Sequence, residues 1–188
     1  NNRLWRELEI NEHSQFSDVD LEAVRFLNAT TGFILAQDGR ILTTTDGGAS
    51  WAVGLDPAPA TTENLNDVNF PSAALGVLVG DNGTILTTTD GGQNFTPANS
   101  VTDAVDFNGV SFSSTTTGYT VGENGEIEKT TNSGVDWLSV DDGNVPNLGV
   151  NSVSAVSDLI VFAAGDDIGA TGFVVRSTDG GATWETQN

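Results

Sequence analysis

The sequence predicts an all-β protein, a β-propeller of about four four-stranded blades with one additional outer-type strand at the N-terminus. A similar phrase occurs four times, as ILTTTDGGASW (41–51), ILTTTDGGQNF (85–95), IEKTTNSGVDW (127–137) and VVRSTDGGATW (174–184). Its anchor residues Asp46, Asp90, Asn132 and Asp179 are 44, 42 and 47 residues apart. A period in the forties, built from short apolar runs and Gly-rich turns, is typical of propeller blades.

Each repeat divides into four short strands within a single domain, 1–188. The blades are expected at 21–64, 65–106, 107–149 and 150–188, with inner strands that begin at Ala23, Asp67, Gly109 and Asn151. The second and third strands of three blades are joined by Asp-Gly or Asn-Gly, which supplies the positive φ angles of a two-residue hairpin. The fourth blade has a longer connection at 165–171, which we expect to protrude. The linkers 56–66, 97–106 and 141–149 lead from one blade to the next.

The N-terminal residues 1–20 form an outer-type strand and its linker. The segment LWRELEI (4–10) resembles an outer strand, and Trp5 precedes Trp51 by 46 residues. Because the fourth repeat has its own outer strand, this additional strand has no evident place in a ring of four blades. Three arrangements remain open: an arc of a larger propeller, a small closed ring, or a propeller completed by another chain. An uncovered end would expose a sheet edge.

The repeated motif Ser/Thr-x-Asp-x-Gly-x-x-Trp has a structural explanation. The Asp carboxylate accepts hydrogen bonds from backbone N–H groups of the turn, Gly adopts a conformation that Cβ disfavours, and the aromatic ring packs between blades. Asn132 and Phe95 are the weaker copies, so the second and third turns are expected to be looser. The motif residues are Thr44, Asp46, Gly48, Trp51, Thr88, Asp90, Gly92, Phe95, Thr130, Asn132, Gly134, Trp137, Ser177, Asp179, Gly181 and Trp184.

The motif resembles the Asp-box, or BNR repeat. The longer phrase GVLVGDNGTILTTTDGGQNF (76–95) is similar to the photosystem II assembly factor and its bacterial relatives, and the similarity extends from about Leu21 to Glu185. The resemblance implies a propeller, although one fold hosts many functions. Relatives that assemble the photosystem would be expected to carry a basic patch, whereas the five Arg and one Lys of this chain are scattered. We therefore expect a likeness of fold and repeat rather than of pathway.

The charge of the chain restricts its partners. It carries 26 acidic and 6 basic residues, for a formal net charge of −20. This surface repels phosphate, which argues against nucleic acids and anionic membranes and favours basic proteins or cations. The chain has no Cys and no apolar run long enough to span a membrane. It also lacks Met, so we expect the sequence to be an excerpt or a processed product. An extracellular, cell-surface or periplasmic location is expected.

No catalytic, cofactor or metal site is predicted. A sialidase resemblance would imply an Arg triad and a Tyr nucleophile, but the Arg residues occupy non-equivalent positions and Tyr119 is expected to pack in a blade. The single His13 lies outside the repeats. The acidic residues beside the second-to-third-strand turns are expected to form a solvated rim, because Ca²⁺ needs six to eight converging oxygens. They are Asp38, Asp81, Glu123, Asp166 and Asp167. The Arg residues are Arg3, Arg6, Arg25, Arg40 and Arg176.

The function expected is therefore non-enzymatic: an exported or cell-surface propeller that binds or scaffolds other proteins. Self-assembly through the N-terminal strand, by exchange between copies, is a further expectation. The alternative is a glycan-binding module or a degenerate sialidase-like glycoside hydrolase. That alternative requires exposed aromatic platforms, and Trp5 is the Trp that lies outside the repeated motif.

Overall fold

The computed structural model describes residues 20–53, 61–102, 104–166 and 172–187. These residues form four four-stranded antiparallel sheets in which the strands follow one another in chain order, as predicted. The first blade contains β1 (Leu21–Phe26), β2 (Gly32–Ala36), β3 (Ile41–Thr44) and β4 (Ala52–Val53), and the second β5 (Leu65–Asn69), β6 (Gly76–Gly80), β7 (Ile85–Thr88) and β8 (Thr96–Pro97). The third contains β9 (Phe107–Phe112), β10 (Gly118–Gly122), β11 (Ile127–Thr130) and β12 (Leu138–Ser139), and the fourth β13 (Gly149–Ala155), β14 (Val161–Asp166), β15 (Gly172–Ser177) and β16 (Glu185–Gln187).

The inner strands begin two residues earlier than the sequence predicts. Each of them contains a register shift near its start, and the residues at these shifts are Glu22, Asn66, Asn108 and Asn151. A bulge leaves one residue unpaired and interrupts the alternation of side chains. The alternating pattern therefore predicts only the part of each strand that follows the bulge.

The turns between the second and third strands have the predicted conformation. Asp38, Asn82 and Asn124 have φ angles of 59°, 52° and 59°, and the glycines that follow them have φ angles of 68°, 71° and 76°. In the third blade this turn is a short 3₁₀ segment, Glu123–Gly125. The next linker lies against the turn: Gly83 N donates to Val105 O and Gly125 N to Leu148 O, both over 2.7 Å. These turns and the linkers thus share one face of the protein.

Neighbouring blades pack face to face through three apolar clusters. Leu35 of the first blade lies in a cluster with Leu65 and Val68 of the second. In the next cluster Val77 meets Phe107, and the third cluster brings Tyr119, Ile127 and Val121 of the third blade against Val150 and Trp184 of the fourth. The blades therefore follow one another around a common axis as an arc of a propeller.

Some predictions fall on parts of the chain that lie outside the described residues. They concern the outer-type strand within 1–19, residues 56–60 of the linker 56–66, and residues 167–171 of the long fourth-blade connection. None of the described residues belongs to a helix with the length and apolar character needed to cross a membrane.

Candidate functional site

The first Asp-box forms a compact network of hydrogen bonds at the end of β3. Thr44 Oγ1 donates to Asp46 Oδ1 over 2.7 Å and accepts a bond from Gly48 N at 2.9 Å. Asp46 Oδ1 also accepts from Ser50 N at 2.9 Å, and Asp46 Oδ2 from Ser50 Oγ at 2.5 Å. The hydroxyl and the carboxylate thus accept the N–H groups of Gly48 and Ser50, while Gly47 N donates to Thr30 O over 2.8 Å.

The same network recurs in the second and fourth blades. Thr88 Oγ1 donates to Asp90 Oδ1 over 2.8 Å, and Asn94 replaces Ser50 as the side-chain donor at 2.7 Å. In the fourth blade Ser177 Oγ donates to Asp179 Oδ1 over 2.9 Å. The fourth residue after the Asp, which is Ser50, Asn94 or Thr183, thus has a short polar side chain that donates a hydrogen bond to the Asp carboxylate.

The third Asp-box exchanges the roles of its polar residues. Thr130 Oγ1 donates to Asn132 Oδ1 over 3.0 Å, and Asn132 Oδ1 accepts from Asp136 N at 2.9 Å. The Asn132 amide then donates to Asp136 Oδ2 over 2.7 Å. A carboxylate is therefore retained in the turn, four residues later than in the other blades. The expected looseness of this turn stays a prediction, but its hydrogen bonds match those of its neighbours.

The hydrogen bonds stabilise the ionised form of the box carboxylates. The Ser50 hydroxyl, the Ser50 N–H group and the Thr44 hydroxyl lower the pKa of Asp46 from 3.8 to about 2. Asn94 in the second blade and Thr183 in the fourth lower the pKa values of Asp90 and Asp179 to about 2 in the same way. These groups are exposed, so the shift reflects charge-assisted hydrogen bonding to the anion.

The motif aromatics differ in how completely they are covered. Trp137 is 1% exposed and Trp184 is 2% exposed, whereas Trp51 and Phe95 are half-buried. The indole N–H of Trp137 donates to Gly134 O over 3.1 Å, and that of Trp184 to Val140 O over 3.0 Å. Both buried Trp residues thus combine apolar burial with a satisfied donor.

Tyr119 lies in the joint between the third and fourth blades. It is fully buried, its hydroxyl donates to Asp158 O over 3.4 Å, and the Lys129 ammonium lies 5.5 Å from its ring centroid. Desolvation, followed by the charges of Asp158 and Asp179, raises the pKa of Tyr119 to about 12. A phenol in this environment resists ionisation, which is consistent with the packing role expected for it.

The linker at 97–106 is fastened to the third blade. Asn99 forms an isolated bridge with Asp136, and Trp137 N donates to Asn99 O over 2.8 Å. Ser100 Oγ donates to Glu128 Oε1 over 2.9 Å, and Thr102 Oγ1 also donates to this carboxylate. Glu128 is fully buried in β11, so these hydroxyls compensate for its loss of water.

Six carboxylates surround the turns between the second and third strands, and we call them the acidic face. Its residues are Asp38, Glu63, Asp81, Asp106, Glu123 and Asp166. Side-chain amides hold several of them: Asn64 and Asn66 donate to Asp81 over 2.8 and 2.9 Å, and Asn82 donates to Glu63 over 2.7 Å. Amides orient a carboxylate without neutralising its charge, so this face remains strongly negative.

Bulge asparagines, which sequence reasoning missed, connect neighbouring blades below the acidic face. Asn66 Nδ2 donates to Phe107 O over 3.0 Å, and Asn108 Nδ2 donates to Val150 O over 3.1 Å. Opposite the bulge at Asn66, a Cβ on Gly80 would lie 2.0 Å from the Asn64 carbonyl oxygen, so a side chain at this position would clash with the backbone. The signal in the sequence is an Asn after the first apolar residue of three inner strands.

The remaining candidate residues lie apart from one another in the structure. Arg40 lies 3.8 Å from Asp38, whereas Arg176 belongs to the fourth blade. Within the described residues, no three His, Asp or Glu side chains are grouped so that they could hold a metal ion. Asp81, Glu123 and Asp166 thus lie on successive blades without converging. The residues Trp5, Arg3, Arg6, His13 and Asp167 fall outside the described part of the chain.

Comparison with solved structures supports the fold. A structure described as YCF48 bound to a D1 peptide is 29% identical with a TM-score of 0.57, and the match covers 66% of this chain and 40% of that one. The Niastella koreensis GH74 enzyme is 21% identical with a TM-score of 0.68, covering 85% and 28%. The GH74 xyloglucanase of Xanthomonas campestris is 15% identical with a TM-score of 0.65, covering 84% and 28%.

The chain spans less than half the length of each of these solved proteins. The two GH74 similarities show the propeller fold alone. No curated protein matches the chain. The family model described as photosynthesis system II assembly factor YCF48 matches residues 58–188, which include the second, third and fourth blades. On this match and the repeated Asp-box turns, the chain belongs to the YCF48 photosystem II assembly factor family.

Proposed function

We propose that the protein is a non-enzymatic binding module whose acidic face captures a Lys- or Arg-rich segment of a partner protein. The observation that carries this proposal is that neutral N–H donors hold Glu63, Asp81 and Asp106, while Arg40 lies beside Asp38 at one edge of the face. Asn64 and Asn66 fix Asp81, and the Asn82 backbone N–H donates to Asp106 Oδ1 over 2.9 Å. A cationic segment would relieve the repulsion within this face.

The family supports the class of ligand. A solved relative is described as bound to a peptide. The rigid blades of this chain likewise carry exposed turns and linkers, which are the parts of a scaffold that most often carry binding function. The local chemistry here favours a basic peptide, because Asp106, Glu123 and Asp166 are exposed while Arg40 is half-buried beside Asp38.

The non-enzymatic part of the proposal rests on the position of Tyr119. A sialidase-like reaction would need an accessible, activated phenol, whereas this residue is buried in a blade joint with its pKa raised to about 12. Incubation with fluorogenic glycosides should release no fluorophore above the uncatalysed rate. A glycan array tests the alternative, a carbohydrate-binding module. Specific retention of one glycan class would support that alternative.

The binding proposal is tested by calorimetric titration with an oligolysine peptide at low and high salt. We expect binding that weakens as salt screens the charges. Glu123→Gln, on the acidic face, should weaken binding more than Glu185→Gln, which removes the same charge from an exposed site on the outer strand β16. Equal effects of the two variants, or binding independent of salt, would contradict the assignment of this face.

The proposal has two further parts, which concern the location of the protein and its self-assembly. An exported or cell-surface location suits the net charge of −20, which keeps a protein soluble outside the cell. Fractionation of the native source with an antibody against the chain tests it, and a cytosolic signal alone would refute it. Self-assembly through residues 4–10 is tested by deleting residues 1–12 and comparing the oligomeric state, which would be unchanged if the strand has no such role.

A further inference from the structure

The chain contains the sequence pattern Asn-x-Ser/Thr, in which x is any residue except Pro, in three places. They are Asn28-Ala29-Thr30, Asn82-Gly83-Thr84 and Asn94-Phe95-Thr96. This pattern is the one that N-linked glycosylation uses in exported proteins. All three Asn residues are exposed, so accessibility does not distinguish them. The hydrogen bonds of their side chains, however, differ.

The side chain of Asn28 closes the loop between β1 and β2. Its Oδ1 accepts three hydrogen bonds, from Thr30 N at 2.8 Å, from Thr30 Oγ1 at 2.9 Å and from Thr31 N at 2.8 Å. Among residues 20–53, 61–102, 104–166 and 172–187, Asn28 Nδ2 has no hydrogen-bond partner. The oxygen of this amide is therefore fixed by three donors, whereas its nitrogen remains available.

Donors at the oxygen make the nitrogen of an amide a better nucleophile. An amide nitrogen is ordinarily unreactive because its lone pair is delocalised towards the carbonyl oxygen. When Nδ2 of Asn28 loses a proton, the negative charge of the resulting imidate lies largely on Oδ1. The two N–H groups and the hydroxyl that point at Oδ1 stabilise this charge. The loop thus prepares Asn28 for attack through Nδ2 on an electrophilic carbon.

The other two Asn residues use the amide nitrogen for contacts within the fold. Asn82 Nδ2 donates to Glu63 Oε2 over 2.7 Å, and Asn82 is held in the left-handed region with a φ of 52°. Asn94 Nδ2 donates to Asp90 Oδ2 over 2.7 Å as part of the second Asp-box. Each nitrogen would have to leave a carboxylate before it could react, and hydrogen bonds to a charged acceptor are the stronger kind.

The loop between the first and second strands needs only an oxygen acceptor at this position. The equivalent residues of the other blades are Ser72, Ser114 and Ser157. The hydroxyl oxygen of each accepts from the backbone N–H groups two and three residues later. Ala73 and Thr115, at the tips of the loops of the second and third blades, are exposed as Ala29 is, so the exposure of this loop does not depend on its place in the arc. Asn28 therefore adds an amide nitrogen that the turn does not require.

We propose that Asn28 is an acceptor for N-linked glycosylation in the folded protein, and that Asn82 and Asn94 are not. The donor is an oligosaccharide linked to a lipid through a diphosphate, and an oligosaccharyltransferase catalyses the transfer. Asn28 Nδ2 forms a bond to the anomeric carbon while the bond from that carbon to the diphosphate oxygen breaks. The lipid diphosphate leaves with the electron pair of the broken bond, and a base of the transferase takes the proton from Nδ2.

The position of Asn28 is compatible with the basic partner proposed above. Gly47 N donates to Thr30 O over 2.8 Å, so the loop lies beside the first Asp-box turn. These loops and turns lie at the opposite ends of the strands from the acidic face, and a glycan on Asn28 leaves that face open. Use of the acceptor in the source rests on the exported location proposed above, because N-linked glycosylation acts on exported chains.

The first test is glycosylation of the folded 188-residue chain in vitro. The chain is produced in a host without N-linked glycosylation and incubated with a purified oligosaccharyltransferase and its lipid-linked donor, and peptide mass spectrometry locates the glycan. Short peptides that carry each of the three patterns provide the unfolded reference rates. Relative to these, we expect Asn28 to react at least about tenfold faster than Asn82 or Asn94, because those residues must first release a bonded amide.

Two outcomes of this reaction would overturn the proposal. One is a folded chain that takes no glycan at Asn28 although the corresponding peptide is glycosylated. The other is an equal relative rate at all three Asn residues. Because the transferase and the donor are supplied, neither outcome depends on where the protein resides. A failure of the exported location is therefore a separate result, obtained from the fractionation described above.

The second test moves the acceptor to another blade. Ser114→Asn creates the pattern Asn-Thr-Thr in the equivalent loop of the third blade, where Thr116 N already donates to residue 114. This variant should carry two glycans, because the geometry of the loop is the same. If it is unfolded by circular dichroism, the double variant Ser72→Asn, Ala74→Thr in the second blade replaces it, and the same result is required.

Asn28→Ser is the matched control. It keeps an oxygen acceptor for the turn, as in the other three blades, and removes the amide nitrogen. The variant should melt close to the wild type and take no glycan. A glycan on Asn82 or Asn94 of this variant, or a Ser114→Asn chain that stays unmodified at residue 114, would show that the loop geometry does not select the acceptor.

Discussion

The Lys129 ammonium donates a hydrogen bond to the carbonyl oxygen of Gly180 over 2.7 Å. This contact joins β11 of the third blade to the Asp-box turn of the fourth, and it lies beside the ring of Tyr119. The single Lys of the chain therefore connects two repeats. Thr87 makes the equivalent contact one joint earlier, where its hydroxyl donates to the carbonyl oxygen of Gly134 over 3.0 Å.

Removing this donor should weaken the joint between the last two blades. Lys129→Met keeps the aliphatic stem but loses the charged hydrogen bond and the cation–π contact, for a cost of about 1.5–3 kcal/mol in the free energy of unfolding. Urea denaturation followed by Trp fluorescence measures it. Lys129→Arg, which retains a cationic donor, should recover most of the loss. A Met variant as stable as the wild type would show that the contact contributes nothing.

The buried and the half-buried motif Trp should differ in importance. Trp137 is 1% exposed and its indole N–H is bonded, so Trp137→Ala should cost about 3–5 kcal/mol, as expected for a large cavity. Trp51→Ala makes the same chemical change in a turn that no earlier blade covers in the described residues. We expect it to cost less than half as much by denaturant titration. Equal losses of stability in the two variants would contradict the view that a motif Trp stabilises the fold mainly through its packing against the neighbouring blade.

The three Asp-box carboxylates should stabilise the fold down to mildly acidic pH. Their folded pKa values are about 2 against an ordinary value of 3.8, so their contribution is complete above about 4 and is lost as pH falls through 2. The triple variant Asp46→Asn, Asp90→Asn, Asp179→Asn should be less stable than the wild type at pH 7. The difference should shrink as pH falls from 4 to 2, as followed by denaturant midpoints. A constant difference across this range would refute the pKa assignment.

Glu126 should be a destabilising residue at neutral pH. Burial raises the pKa of Glu126, a hydrogen bond with the Ser139 side chain partly offsets this, and the charges of Glu128 and Asp141 raise it further. Its buried Oε1 has no hydrogen-bond partner among the described residues. Because the fold favours the neutral acid, the stability cost is present above the folded pKa and disappears at lower pH. Glu126→Gln should therefore raise the melting temperature by about 2–4 °C at pH 7, as for a gain of about 1 kcal/mol in a chain of this size.

A thermal scan at pH 7 and at pH 4 checks this prediction. The gain should be smaller at the lower pH, where the wild-type side chain becomes protonated. The control is Glu123→Gln, an exposed residue of the adjacent turn for which only a small change is expected. A Gln variant that melts below the wild type at pH 7 would mean that the hydrogen bond between the carboxylate and Ser139 outweighs the cost of burial.

Local chemistry made some parts of the molecule predictable. The positive φ angles of Asp38, Asn82 and Asn124 follow from Asp-Gly and Asn-Gly pairs, because few other dipeptides fit such a hairpin. The starts of the inner strands were predicted two residues too late, because the bulges at Asn66 and Asn108 interrupt the alternation. A register shift depends on the partner strand, and the pattern of one strand does not contain that information.

The joints were the least predictable feature. Val77, Tyr119 and Phe162 are each the second residue of the second strand of their blade, but they differ in chemistry, so the residue type at this position follows no common pattern. Their equivalence appears when β6, β10 and β14 are aligned by register against the third strands. The contrast between the covered Tyr119 and the half-buried Phe162 depends on which blade lies next to each, and spacing along the chain does not encode it.

The sequence by itself determined the repeat, the Asp-box turns and the propeller fold, because each depends on residues within one blade that are close along the chain. Only the tertiary structure decided which surfaces are covered. A side chain is buried or exposed according to the neighbouring blade, about 42 to 47 residues away. The same Gly-containing turn therefore packs on the preceding blade in the second, third and fourth blades, whereas in the first its nearest neighbours among the described residues are Phe26 and Trp51 of its own blade. The second residue of the second strand is buried in the first three blades, but Phe162 of the fourth is half-buried.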